Sequence, residues 1–374
     1  MPFLKADLGL SSAAAGVFGT SINIGRVIAS TPSVRPVNRY AERRTILGGA
    51  SAAGVLAIVA SLTGPATGVL ALLIASGIVQ TVAVLAGINA IARWFRSGSK
   101  GIAMGVRQTA VPIGGLIAAA SLPFLAAELG WRPALAIAGA LSITSAIVGT
   151  VIYRDYEAPR DGDIMRARLR VAVPLILGDR LIRRAIVVGA VLAGSQYAVV
   201  VYIQLFLIED LGRSVAFAAV ALVIAQAMGI AGRVIWGIVS DLIFRGSRRE
   251  VIAIVMAVAA AASLGMAFVP SGSAALIALP LAAVLGLTTV GAPGLFLAQL
   301  TDLAPERFGA ATLGVAVAFI QGSIVILPLI FGLIVDASGG YRISWFVLAG
   351  VLAVAVPVAL SIRLRSSREI QHPG

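Results

Sequence analysis

The apolar residues of this chain fall into blocks of about twenty, the length at which a helix rising 1.5 Å per residue crosses a hydrocarbon layer of about 30 Å. Stretches such as Val251 to Val269 show none of the polar–apolar alternation that a membrane barrel requires. Helices are therefore the expected element. Charged residues make up 12% of the 374 and apolar types 59%, whereas a soluble domain keeps roughly a quarter of its residues charged. Met1 to Leu10 has no apolar core preceded by basic residues, so no removable signal is read there.

Breaks marked by charge, Gly or Pro divide the chain into eleven expected spans. Five run roughly 11–34, 45–63, 67–92, 101–124 and 132–153, and six run roughly 184–207, 214–240, 250–269, 274–299, 309–335 and 343–363. The expected organisation is an N-terminal bundle over 1–153, a linker over 154–183, a C-terminal bundle over 184–363 and a tail over 364–374. Lys and Arg are retained on the cytoplasmic side of short loops. One alternate set of connections holds Arg35, Arg39, Arg43, Arg44, Arg93, Arg96, Lys100, the linker arginines, Arg245, Arg248, Arg249, Arg307 and the tail arginines; the other holds only Lys5, Arg132, Arg213 and Arg342. Linker and C-terminus are thus expected in the cytoplasm, with the chain in a plasma or inner membrane and the lipid bilayer as its surroundings.

The formal charge of +13 does not point to nucleic acid, because the basic residues sit between apolar blocks rather than on one folded face. With no cysteine, disulfides and thiolate metal sites are excluded. The one histidine, His372, stands third from the end, where a frayed tail is the expected setting. An enzyme would need a nucleophile with its base or a ligand cluster, and the spans hold neither. No cofactor is expected.

The chain also repeats itself. Phe3-Leu4 and Asp7-Leu8-Gly9, followed by Ser11, recur as Phe206-Leu207 and Asp210-Leu211-Gly212, followed by Ser214, at a constant offset of 203. Asn38 maps onto Asp241 at the same offset, Gly105-Val106 onto Gly314-Val315 at 209, and Gly130-Trp131-Arg132 onto Gly340-Tyr341-Arg342 at 210. Transporters are commonly built from such duplicated halves. Since Phe206-Leu207 closes a helix, Met1 to Leu4 is expected to be the last turn of a helix whose body is absent, making six spans plus six in all.

Two helical halves, a charged linker and a basic loop after the second helix of each half resemble the major facilitator superfamily (MFS). The most specific element is the loop pattern Gly-x-x-x-Asp-Arg-x-Gly-Arg-Arg. Gly237 and Asp241 match its opening, with Arg245, Gly246, Arg248 and Arg249 following at a slightly longer spacing. The first-half copy keeps Arg39, Arg43 and Arg44, but Val34 replaces the first glycine, Asn38 the aspartate, Ala41 the second glycine and Glu42 a basic residue. In the family this loop latches the cytoplasmic sides of neighbouring helices when the carrier faces outward. The resemblance thus implies an all-α, two-bundle, monomeric carrier of a small-molecule substrate. The run from Gly101 to Gly115 looks like the fourth-to-fifth helix turn of bacterial members and partly resembles the drug-antiporter glycine motif, with Pro112 bending the helix and Gly114 and Gly115 admitting a neighbour.

Polar side chains deep in a membrane usually face protein or a water-filled cavity. Arg26, Gln80, Gln108, Gln196, Tyr197, Gln226 and Gln321 lie far enough from the span ends to reach a central pathway. Interhelical hydrogen bonds, and snorkelling for Arg26, are the alternatives. Every Asp and Glu lies in a loop or near a span end. Cationic and neutral donors without a deep acid favour an organic anion as substrate, with Arg26 and Gln108 facing Gln196 and Gln321. The alternatives are a multidrug or metabolite efflux antiporter of the same fold, and a truncated, non-transporting membrane protein. The charge bias generates the first test: reporters fused after Arg170 and Arg365 should be cytoplasmic and those at Gly64 and Ser271 external. Two of these on the wrong side would refute the span assignment.

Overall fold

Backbone N–H and C=O groups in hydrocarbon have no water to bond, so each apolar block closes its hydrogen bonds internally as a helix. The computed structural model of the chain describes residues 1–29, 42–94, 100–153, 174, 176–270, 274–303 and 309–362. A short helix α1 (Pro2–Asp7) leads into α2 (Ser12–Ala29), α3 (Glu42–Leu62), α4 (Ala66–Trp94), α5 (Lys100–Leu129) and α6 (Trp131–Ile152). The second set is α7 (Arg180–Leu205), α8 (Val215–Ile238), α9 (Arg248–Ala267), α10 (Ala274–Leu285), α11 (Pro293–Leu303), α12 (Gly309–Ser338) and α13 (Arg342–Leu360).

Among the described residues, ten helices are long and apolar enough to cross a membrane, with α10 and α11 forming one of them. The first of the eleven expected spans, α2, is not among the ten: it is 18 residues long and carries Asn23 and Arg26. Other boundaries also differ from expectation. The span expected over 274–299 is broken by a π-helical turn at Gly286–Val290, after which Pro293, with no N–H to give, opens α11. Further π turns close α7 at Phe206–Asp210 and α8 at Val239–Ile243. Helix α7 begins at Arg180, inside the expected linker, because the Asp179 carboxylate accepts from the amides of Leu181 and Ile182 at 2.9 and 3.4 Å. Helix α5 runs unbroken through Pro112 and Pro123.

In the first bundle α3 packs on α4 and α6, and α2 on α4. In the second, α9 packs on α13 and α7 on α12 and α13. The bundles meet where α2 crosses α12 and α7, and where α5 crosses α8. The repeat exchanges α2 with α8 and α5 with α12, so the crossings α2·α12 and α5·α8 are one contact made twice. Turn geometry shows the same duplication, since Gly9 and Gly212 both take the left-handed conformation at φ +60° and +63°. The aromatic residues that open the last helix of each half also have matching partners. The Trp131 indole donates to Asp7 Oδ2 at 2.8 Å, and the Tyr341 hydroxyl donates to Glu209 Oε2 at 2.7 Å. Near these contacts the backbone aligns Gly130 (φ +87°) with Gly339 (φ +73°), one residue away from the pairing expected from sequence.

Helix association in lipid relies on close contact between small residues. Gly25 and Gly77 bring α2 and α4 together so tightly that a methyl group on either would lie 2.1 Å from a carbonyl oxygen of the facing helix, Ile74 for Gly25 and Ile22 for Gly77. Gly77→Leu is therefore expected to destabilise the protein by about 1–3 kcal/mol. Gly149→Ala, where nothing lies within 4 Å, should leave the thermal unfolding temperature in detergent unchanged or slightly raised. Equal temperatures for the two variants would contradict the packing argument.

Candidate functional site

The deep arginines of the first bundle converge on one face of α4. Arg26 on α2 donates through Nη2 to Gln80 Oε1 and through Nη1 to Asn23 Oδ1, the latter at 3.4 Å. Arg107 on α5 donates through Nη2 to the Val84 carbonyl oxygen at 3.1 Å. Gln80 and Val84 are i and i+4 on α4, one above the other. Arg26 and Gln80 stand equally far from the ends of α2 and α4 that the loop charges assign to the outside, about 21 Å along each axis at 1.5 Å per residue. Counted from those ends, the cluster lies just past the middle of a hydrocarbon layer of about 30 Å. Among the described residues neither guanidinium meets a carboxylate, and Arg26 Nε is buried without an acceptor. Arg107 is not among the seven pathway candidates read from the sequence.

The remaining candidates are dispersed. Gln226, 8% exposed, lies at the α5·α8 crossing, where a methyl group on Gly115 would lie 2.1 Å from its Nε2. Gly114 is exposed with nothing within 4 Å of an added methyl, and Pro112 is buried. Gln226 also lines a cavity of about 410 Å³ between α1, α2 and α4 to α8, mostly apolar, with the amides of Gln204 and Gln226 and the Trp131 indole among its polar groups. Gln196, Tyr197 and Gln321 are half-buried on α7 and α12. The side chain of Gln108 lies outside the described residues.

At the helix ends that the loop charges assign to the outside, a second constellation joins the bundles. The Asp336 carboxylate at the end of α12 accepts from the amides of Ser12 and Ala13, the first turn of α2, at 2.7 and 2.8 Å. An anion there satisfies donors that have no partner within the helix and complements the helix dipole. The Tyr202 hydroxyl sits in the same crossing, 2.8 Å from the Ser12 oxygen and 2.9 Å from the Pro328 oxygen, and donates to one at a time. Gly16 and Gly332 leave it room, since a methyl group on either would lie 2.3 or 2.2 Å from that hydroxyl. Lys5 adds an ion pair to Glu209 at 2.6 Å, the same carboxylate that accepts from Tyr341. Burial and Glu209 together hold the Tyr341 hydroxyl above the ordinary phenol range. The sequence placed these acids only at span ends; their partners, 132 to 324 residues away, were not legible there.

Comparison with known proteins identifies the scaffold. The Major Facilitator Superfamily profile matches residues 1–322. The chain belongs to the Major Facilitator Superfamily. An uncharacterized MFS-type transporter of Mycobacterium tuberculosis is 29% identical over 282 residues, covering 75% of this chain and 61% of that protein. The hexuronate transporter of Bacillus subtilis is 21% identical over 387 residues, covering 96% of this chain and 87% of that protein. Among solved structures, a bacterial homolog of the human lysosomal transporter Spinster, in an inward-facing and occupied conformation, superposes with a TM-score of 0.76 at 16% identity. That match covers 96% of this chain and 91% of that one.

The second-half superfamily loop begins in the π turn that closes α8. Asp241 is exposed and pairs with no described residue, while Arg248 pairs with Asp302 on α11 and Arg249 reaches Glu250 at 3.4 Å. Two of the loop arginines are thus engaged within their own bundle, and Arg245 has no described partner. Gly237 is half-buried with open space around it. Of the first-half loop, Asn38 and Arg39 lie outside the described residues, and Arg43 and Arg44 are exposed at the start of α3.

The outer joint can be tested directly, because the chain has no cysteine of its own. A cysteine at Ala15, fully buried in the α2·α12 crossing, should react slowly with a membrane-impermeant maleimide. Adding Asp336→Asn should speed that reaction several-fold. An unchanged rate would show that Asp336 does not hold the crossing shut.

Proposed function

We propose that this chain is a secondary transporter that carries a small organic anion by alternating access. The observation that carries the reading is the Arg26–Gln80–Arg107 cluster, two guanidiniums on one face of α4 with no carboxylate among their described partners. A solute leaving water must exchange its hydration for protein donors or lose roughly several kcal/mol per unmet polar group. Guanidiniums and amides supply donors suited to carboxylate oxygens. The hexuronate carrier of B. subtilis, whose named substrate is a sugar acid, supports the same class. Gln196 and Gln321 would face the cluster from the second bundle.

The state of the two faces supports the cycle. Outside, Asp336, Tyr202 and Lys5 tie the bundles; inside, Asp241 pairs with no described residue. This supports a carrier open to the cytoplasm, as in the inward-facing Spinster homolog. Turning outward would release the α2 amides from Asp336 and give Asp241 a partner across the inner face. We place the protein as a monomer in the plasma membrane, inner in a Gram-negative cell, with linker and C-terminus cytoplasmic.

Two outcomes follow. Vesicles containing the protein should take up labelled carboxylates and not organic cations, and Arg26→Gln or Arg107→Gln should lower that uptake about tenfold or more, as expected for roughly 1.4 kcal/mol of lost interaction. Transport of cations alone, or anion transport indifferent to both substitutions, would overturn the substrate class. At matched expression Asp241→Asn should impair uptake more than Asn38→Ala, since only the former removes a charge. Equal and negligible losses would argue against a second-half latch.

A further inference from the structure

A second cavity, of about 390 Å³, opens at the cytoplasmic end of the C-terminal bundle. It lies between the loop joining α8 to α9, the last turn of α11 and the end of α13, with Arg245, Arg248, Arg249, Gln299 and Asp302 on its walls. This volume is within the range of small-ligand sites. We propose that it binds a phosphate ester, with the phosphate seated at the N-terminus of α9.

Three features of the cavity converge on that chemistry. The first is the end of α9 itself. Ser247 stands at its N-cap position and makes no side-chain cap, so the amides of the first turn lack that partner. Uncapped amides at the positive end of a 20-residue helix form an anion site when cationic side chains stand beside them. The second is the arginine set. Arg248 is neutralised by Asp302 and Arg249 makes only a 3.4 Å contact with Glu250, while Arg245 pairs with no described residue. Guanidinium forks match phosphate oxygens bidentately.

The third feature is Gln299, which lines the cavity and is 3% exposed, yet its Oε1 receives no hydrogen bond. No described residue bonds its amide, and because that oxygen is shut off from solvent, Nε2 is the group left to meet a ligand. A phosphate ester supplies anionic oxygens for Arg245, Arg249, the α9 amides and Gln299 Nε2. A carboxylate has two oxygens for that set, where a phosphate ester has three. The ester's source is either a soluble phosphorylated metabolite or a lipid headgroup at the inner surface, and the site is independent of what the central pathway carries.

The test follows thermal unfolding of the purified full chain in detergent while inorganic phosphate, glycerol phosphate or phosphatidylglycerol is added, with potassium chloride at matched ionic strength as control. Binding to the folded state raises the unfolding temperature in proportion to the logarithm of ligand over Kd. We expect a rise with at least one of the three phosphates and none with chloride. Arg245→Gln with Arg249→Gln should weaken the apparent affinity about tenfold or more, and Gln299→Leu should weaken it several-fold. Arg245 is exposed, so Arg245→Gln alone is the variant to read if the double change fails to fold. A response to the two soluble phosphates assigns a free phosphate ester, and a response to the lipid alone assigns a membrane headgroup. No response in any arm, or a response that survives both arginine changes, overturns the proposal.

Discussion

Asp336 accepts the first two free amides of a helix in the opposite bundle, at 2.7 and 2.8 Å, and the outer closure of the molecule depends on that contact. A helix end set into a crossing needs a partner for its amides, and the carboxylate supplies it. The glycines at 16 and 332 let the two backbones come close enough for the carboxylate to reach, and Tyr202 fills the remaining space between two carbonyl oxygens. The closure is therefore specific, and it is also reversible. Water entering from outside can take over the same amides at modest cost, because each bond traded for water changes the free energy by only about 1 kcal/mol.

The same economy explains where the polar residues stand. Arg26 and Arg107 are held by an amide oxygen and a backbone oxygen, contacts that satisfy some of their donors without neutralising their charge. Carboxylates, by contrast, gather at helix ends, where Asp7, Glu209, Asp302 and Asp336 meet indole, ammonium, guanidinium or helix amides. The molecule thus keeps inside it positive charge that meets no described carboxylate, and uses its acids as fasteners at helix ends. A cluster of this kind attracts an anion and offers little to a cation.

Helix type and number were legible in the sequence because about twenty apolar residues in a row have one structural solution in lipid. The repeat was legible for a physical reason too: Gly9 and Gly212 are fixed by their left-handed backbone, and Trp131 and Tyr341 by an acid each must reach. What hydropathy cannot show is contact. The break at Gly286 and Pro293 reads as more apolar sequence, and the close approach of Gly286 to α8, where a methyl group would lie 2.1 Å from the Ala225 oxygen, shows only in the fold. Arg248, which the sequence shows only as part of the loop pattern, meets Asp302 on α11, a pairing across 54 residues with no local signal. Gln226 read as a pathway residue for its depth, while Gly115 across the crossing determines its surroundings.

On this account the outer joint and the inner latch exclude one another, so the two faces of the protein should move in opposite senses. Spin labels at Gly64 and Phe268 report the outer separation of the bundles, and labels at Ile152 and Leu242, both highly exposed at inner helix ends, report the inner one. Distance distributions in lipid should show that Asp336→Asn lengthens the outer pair and shortens the inner pair together. Two distances that change in the same sense, or an outer pair that lengthens while the inner pair stays fixed, would contradict it.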